Sequence, residues 1–321
     1  MAVCFSPGFS GDDSNNSVQV KERVISQDEV LWIVYLIQFI TGVLGNSFLF
    51  CIYTFNYTTG YRKRSIDPIL IYLAFTNTML LLFRGIPEMI RVWKWQYFLN
   101  DIGCKLITYL QTACRGLSLS STSLLSVFQA ITISPSSLFW AEIKARAPKW
   151  VLPCCLTCWI FNLMIDVFVP VYVTSSHNRT IKGSINMGFC SLDINAIRPL
   201  KTVIWKSLYD FIFVGIMLCS SIYMVILLYS HHQQVKHIHH TSLGSRPSPE
   251  IQATKSILLL VSTFVCFSTV SGPFIITMES SEGSISWPYY ISAFMSVSFQ
   301  TISPFVLLSS DTQMLRSSCV F

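Results

Sequence analysis

The chain has 321 residues, of which 52% are hydrophobic, 14% aromatic and only 12% charged, with a mean hydropathy of +0.52. An ordinary soluble domain is charged at nearer ~25% of its positions, and the apolar runs here are too long and too separate to share one aqueous core. A soluble globular fold is therefore excluded and an integral membrane protein is expected; the formal net charge of +6 implies no nucleic-acid partner, and no cofactor is implied.

Residues 1–29 are polar, with Asp12, Asp13, Glu22, Asp28 and Glu29 against Lys21 and Arg23. A basic start followed by an apolar core and a small-residue cleavage site is missing, so this stretch does not read as a signal peptide, and the first apolar segment serves as the insertion signal itself. Apolar runs of spanning length follow at 30–53, 69–90, 104–131, 150–173, 203–229, 256–278 and 288–309. The expectation is an all-α, seven-helix transmembrane domain over 30–309. An odd number of crossings puts the short tail 310–321 across the membrane from Met1. Pro87, Pro153, Pro170, Pro273 and Pro304 lie inside these spans, where neighbouring groups re-satisfy the freed carbonyls and kinks open space between helices.

Lysines and arginines in the short loops set orientation. With Met1 outside, the inner segments hold Arg62, Lys63, Arg64, Lys144, Arg146, Lys149, Lys236, Arg246, Lys255 and Arg316, ten against eight in the outer segments. Glycosylation acceptors at Asn178 and Asn15 fall outside in that topology, while Asn56 would face inward and stay silent. Of eleven cysteines, seven lie within spans as small apolar residues, and Cys4, Cys104 and Cys190 lie on the oxidising side. A bridge from Cys104, heading the third span, to Cys190 would pin the loop after the fourth span over the bundle mouth. Three independent thiols are the weaker alternative, and Cys4 is left unpaired.

Six charges lie inside the spans: Arg84 and Glu88 in the second, Arg115 in the third, Asp166 in the fourth, Lys206 and Asp210 in the fifth. Arg115 stands about eleven residues beyond Cys104, roughly 16 Å down the helix and near the middle of a ~30 Å hydrocarbon layer. A cation at that depth must meet protein, water or a carboxylate, which makes the third span interior. Arg84 with Glu88, and Lys206 with Asp210, are four apart and could neutralise themselves on one helix face. Arg115 and Asp166 have no partner on their own helix. They either pair with each other or leave Arg115 to meet a ligand, the preferred reading. The candidate ligand-binding set is Arg84, Tyr109, Gln111, Arg115, Lys206 and Asp210, with Trp287, Tyr289 and Tyr290 near the mouth or forming an interfacial belt. Cations in an aromatic, apolar wall suit an anionic or carbonyl-bearing hydrophobe.

The inner face reads as a basic rim. The linker 230–252 carries a histidine cluster whose irregular spacing marks a solvated loop rather than a metal site. With Arg62, Lys63, Arg64, Lys144, Arg146 and Lys149 it suits anionic lipid at the bilayer surface.

Finer motifs give the chain a family likeness. It has Gly45-Asn46 in the first span, Gly103-Cys104-Lys105-Leu106, Arg115-Gly116-Leu117-Ser118 and the run Leu124-Leu125-Ser126-Val127-Phe128-Gln129-Ala130-Ile131-Thr132-Ile133-Ser134-Pro135. Trp140-Ala141-Glu142, Trp159, Ser248-Pro249-Glu250 and Ser303-Pro304-Phe305-Val306-Leu307 complete the set. On these residues the chain resembles the rhodopsin-like G-protein-coupled receptors, and among them the vomeronasal type-1 (pheromone) receptors. The Asp-Arg-Tyr and Asn-Pro-x-x-Tyr motifs are replaced by Phe128-Gln129-Ala130 and Ser303-Pro304-Phe305, and Asn77 stands where an acidic residue is usual, departures shared with that family. The resemblance implies a receptor in the cell membrane with its amino end outside, not an enzyme. It would sense a small pheromone-like hydrophobe, such as a sulfated steroid, and activate a heterotrimeric G protein of the inhibitory class through the basic rim. Alternatives are a bitter-taste-like receptor, whose third span lacks this run, and a small-solute transporter, which would need matched halves and a charged inner path.

Overall fold

Inside a bilayer every backbone amide must be satisfied within the segment, so long apolar runs become helices. The computed structural model follows that rule; it describes residues 13–60, 66–92, 99–135, 137–175, 184–186, 190–193, 199–238, 249–279 and 287–310. Its long helices are α1 (Asp13–Thr59), α2 (Asp67–Val92), α3 (Asp101–Ile133), α4 (Leu138–Ile165), α6 (Pro199–Ile238), α7 (Pro249–Glu279) and α8 (Trp287–Ser310), with α5 a single turn at Val169–Tyr172. Six carry an apolar stretch long enough to cross a membrane, and α8 has a shorter one at Phe294–Ser309. This is a multi-pass membrane protein.

The helix ends have local causes. α6 and α7 begin on Pro199 and Pro249, whose missing N–H would be unsatisfied there in any case. Asn100 caps α3, its side-chain oxygen accepting from the Gly103 amide at 2.8 Å, and α3 stops one residue before Ser134-Pro135. Several boundaries differ from the sequence expectation; α6 runs on to Ile238 and α7 starts at Pro249, so both ends of the linker 230–252 are helical. α1 starts at Asp13, inside the polar stretch 1–29. α4 starts at Leu138, earlier than 150, and ends at Ile165, because Pro170 cannot continue the hydrogen-bond ladder and instead opens the separate turn α5.

α3 is the central rod: it packs against α2, α4, α6 and α7, while α1 joins α2 to α8 and α8 joins α7. The main apolar cluster is shared by Leu49 and Tyr53 of α1, Ile69 and Leu73 of α2, Leu125 and Phe128 of α3, Val151 of α4, Met217 and Met224 of α6, Leu260 of α7 and Val306 of α8. Trp159 of α4 stacks on Phe75 of α2, with ring centroids 6.2 Å apart.

Over one end of α3 lies a small antiparallel sheet that the sequence did not announce. β1 (Val173–Ser175), β2 (Ser184–Asn186) and β3 (Cys190–Asp193) run in the order β1-β3-β2, with Ser175 opposite Cys190 and Asn186 opposite Ser191. The disulfide Cys104–Cys190 ties β3 to the first turns of α3 across 86 residues of sequence. Both cysteines are fully buried against Val173, forming a second, smaller core. Ser175 adds two contacts to the start of α3: its amide donates to Asp101 Oδ1 at 3.1 Å and its hydroxyl to the Leu99 carbonyl at 3.2 Å.

Candidate functional site

The charges inside the bundle do pair, but not as their spacing suggests. Arg115 on α3 donates from Nη2 to Asp210 Oδ2 on α6 at 2.5 Å. Lys206, one turn earlier on α6, donates from Nζ to Asp166 Oδ1 at the end of α4, also at 2.5 Å. The Lys206–Asp210 pairing that the spacing allowed is not the one made, nor is the alternative Arg115–Asp166 pairing, and the preferred reading that left Arg115 without a carboxylate is corrected by its contact with Asp210. The reason is positional. Asp166 caps α4, and the break before Pro170 leaves it facing α6. Asp210 points to α3, the neighbour against which α6 packs most extensively after folding.

The result is a ladder of alternating sign, Asp166, Lys206, Asp210 and Arg115, spread over α4, α6 and α3. Its ends are unlike. The Asp166 side chain is 3% exposed and that of Arg115 61%. Arg115 is thus exposed although α3 is the helix that others surround, and an ion of this kind is strongly disfavoured against lipid.

The other candidates occupy varied positions. Tyr109 spends its hydroxyl on the Leu163 carbonyl, at 2.9 Å, so it satisfies one of the last carbonyls of α4 and ties α3 to it. Gln111 is half-buried on α3. Arg84 on α2 is half-buried, with its Nε shut away from any hydrogen-bond partner. The side chains of Trp287, Tyr289 and Tyr290 lie outside the described residues.

Deeper along α3 neutral polar groups link the helices. Ser118 donates to Asn77 Oδ1 at 2.7 Å, Asn77 Nδ2 donates to Ser303 Oγ at 3.0 Å, and all three are buried, so α2, α3 and α8 are stitched together. Asn46 of α1 donates to the Gln300 carbonyl of α8 at 2.7 Å. Further in, Gln129 Nε2 donates to Thr254 Oγ1 at 3.1 Å, joining α3 to α7. Asn162, which the sequence reasoning did not single out, sits against Gly116, where a side-chain carbon would come within 2.0 Å of its Oδ1. A buried Asn facing a Gly on the next helix is the pattern that would have revealed it.

On the basic rim, Lys144 donates to the Ser134 carbonyl at 2.6 Å, closing the end of α3 as a cation there should. Arg146 pairs with Glu142 at 2.6 Å on the exposed face of α4, and Lys149 is exposed. Arg62, Lys63 and Arg64 lie outside the described residues, as does Asn178; Asn15 falls within α1. Among the described residues no three His, Cys, Asp or Glu side chains gather as a metal site.

The model of the vomeronasal organ pheromone receptor family matches residues 31–319 of this sequence. The chain is 41% identical to vomeronasal type-1 receptor 4 of Homo sapiens, over 88% of this chain and 94% of that protein. It is 39% identical to vomeronasal type-1 receptor 1 of Gorilla gorilla gorilla, over 88% and 80%. A more distant similarity, 30% over 87% and 89%, is to olfactory receptor class A-like protein 1 of Danio rerio.

Proposed function

The chain belongs to the vomeronasal organ pheromone receptor family, a chemosensory receptor family, and from that premise we propose that it binds a small hydrophobic ligand carrying an anionic or carbonyl group within the outer half of the bundle. The amino end is outside and the bundle is rhodopsin-like in plan. Arg115 takes the ligand's acceptor group, with Arg84, Gln111, Lys206 and Asp210 around it, and Tyr109 holding the wall. A sulfated steroid has the required shape and charge. The occupied receptor activates a heterotrimeric G protein of the inhibitory class at the basic inner rim, where Lys149 and Arg146 are exposed. Asn15 and Asn178 carry the glycans.

One observation supports this reading above the rest: a guanidinium at mid-membrane depth on the central helix, 61% exposed although ion-paired. Charges kept at that depth are costly and tend to serve binding or transport. The ligand would shift the bundle by binding one arrangement better than the other, the only way binding energy can move such an equilibrium. In cells expressing the chain with a promiscuous G protein, a screen of steroid sulfates, organic acids and volatiles should yield an agonist. Arg115→Ala should then lower its potency by at least tenfold, as expected for a lost charge-assisted contact of about 1.5–3 kcal/mol. Unchanged potency and maximum would remove Arg115 from the site. Ligand flux across proteoliposomes without G-protein activation would replace the receptor with a transporter.

A further inference from the structure

We infer, building on the ligand reading above, that Asp210 is a built-in competitor for the ligand's anionic group: in the empty receptor it holds the guanidinium that the ligand must take over, and so it sets selectivity between charged and neutral ligands. The two ion pairs of the ladder differ in the property that decides this. Lys206 and Asp210 are equally exposed, at 25%, but Asp166 is enclosed at 3%, and parting its pair would strand a buried charge. Arg115 is 61% exposed, and pairs that reach open space hold weakly.

Geometry points the same way. Arg115 meets Asp210 through one contact, Nη2 to Oδ2. A guanidinium has five donors in a planar fork and grips a carboxylate or sulfate through two of them. An incoming anion can therefore present two oxygens where Asp210 presents one. The displaced carboxylate is not stranded, because Lys206 lies one turn away on the same helix and already faces Asp166. After exchange the ladder still alternates in sign, with the ligand on Arg115 and Lys206 between two carboxylates. A neutral hydrophobe cannot drive this exchange, since it would remove a carboxylate from Arg115 without replacing its charge.

The test uses the purified full chain in nanodiscs, with a sulfated steroid and its parent alcohol as probes. Asp210→Asn, close to isosteric, should raise the ratio of sulfate to alcohol affinity by roughly two- to sixfold, the factor released when an exposed pair stops competing. A ligand-free measurement separates this idea from the choice of ligand. Phenylglyoxal labelling of Arg115, mapped by mass spectrometry, should be faster in Asp210→Asn by a similar factor. If labelling accelerates but the wild-type chain binds neither probe, the competitor role stands and the steroid-sulfate reading falls. If the sulfate binds while labelling and the sulfate-to-alcohol ratio are unchanged in Asp210→Asn, the competitor role is overturned and the ligand reading stands.

Discussion

Cutting the enclosed ion pair from either side should give unequal losses. Lys206 Nζ and Asp166 Oδ1 are 2.5 Å apart, and at an effective dielectric of ~20 two unit charges at that distance attract by ~6–7 kcal/mol. Desolvation offsets much of this, so single cuts of buried pairs cost ~3–5 kcal/mol, while replacing both partners by apolar groups is close to neutral. Lys206→Met leaves Asp166 charged and 3% exposed, with no cation near it on its own helix, and should cost the full ~3–5 kcal/mol. Asp166→Asn leaves Lys206 with Asp210 one turn along α6 and with 25% exposure, so its cost should be smaller, ~1–3 kcal/mol. The double variant Asp166→Asn/Lys206→Met strands no charge and should cost clearly less than the two single losses together. Thermal unfolding of the purified chain, read as a double-mutant cycle, checks all three values. The reasoning is refuted if Asp166→Asn is the more damaging cut, or if the two single costs add in the double variant.

Other expectations follow from contacts away from the ladder. Gly116→Ala places a carbon 2.0 Å from Asn162 Oδ1 and should destabilise by ~1–3 kcal/mol, with part of the loss recovered by adding Asn162→Ala, as measured by melting temperature. Asn77→Leu removes the amide that both accepts from Ser118 and donates to Ser303; leaving those hydroxyls buried should cost ~1–3 kcal/mol, visible as a lower melting temperature. Cys190→Ser frees the β3 strand from α3 and should cost ~2–5 kcal/mol, seen as reduced chain at the cell surface by antibody staining of intact cells.

The parts of this molecule that were legible in its sequence are those where the solvent leaves one option. Apolar runs in hydrocarbon can only be helices, and of three cysteines placed on one face Cys104 and Cys190 pair. The charges themselves were legible too, because polar residues stand out against an apolar background. Their partners were not. Four-residue spacing is local information, and it pointed to Lys206 with Asp210, whereas the pairing is decided by which helices meet: α4 ends where Pro170 breaks it and turns Asp166 to Lys206, and α3 passes Asp210 at the level of Arg115. The strands β1 and β2 are three residues long, too short to show alternation, and they exist because a disulfide and the end of α3 hold them. The start of α4 was hidden by its charges, which sit four apart on an exposed face, as Glu142 and Arg146 show.

How an event at Arg115 could reach the inner face follows from what α3 does with its serines. Ser120 donates to the Leu117 carbonyl at 3.1 Å, Thr122 to that of Ser118 at 2.8 Å and Ser126 to that of Thr122 at 3.0 Å, and Ser121 also turns back to Leu117. Hydroxyls satisfied within their own helix ask nothing of the next one, and their small side chains let neighbours pack closely. Through this stretch α3 can shift against α4, α6 and α7 with little to break beyond the long contact, 3.5 Å, from Asn162 Nδ2 of α4 to Ser120 Oγ. The other ties along the inner half of α3 include Ser118 to Asn77 at one level, Gln129 to Thr254 at another, and at the end Ser134 to Tyr223 of α6, 3.1 Å apart, with the Lys144 ammonium of α4 on the Ser134 carbonyl. A displacement of α3 that begins with partner exchange at Arg115 therefore has these contacts to reset before it reaches the inner rim. The uncharged pairs among them are worth ~0.5–1.5 kcal/mol each, within what one ligand contact at a guanidinium can supply.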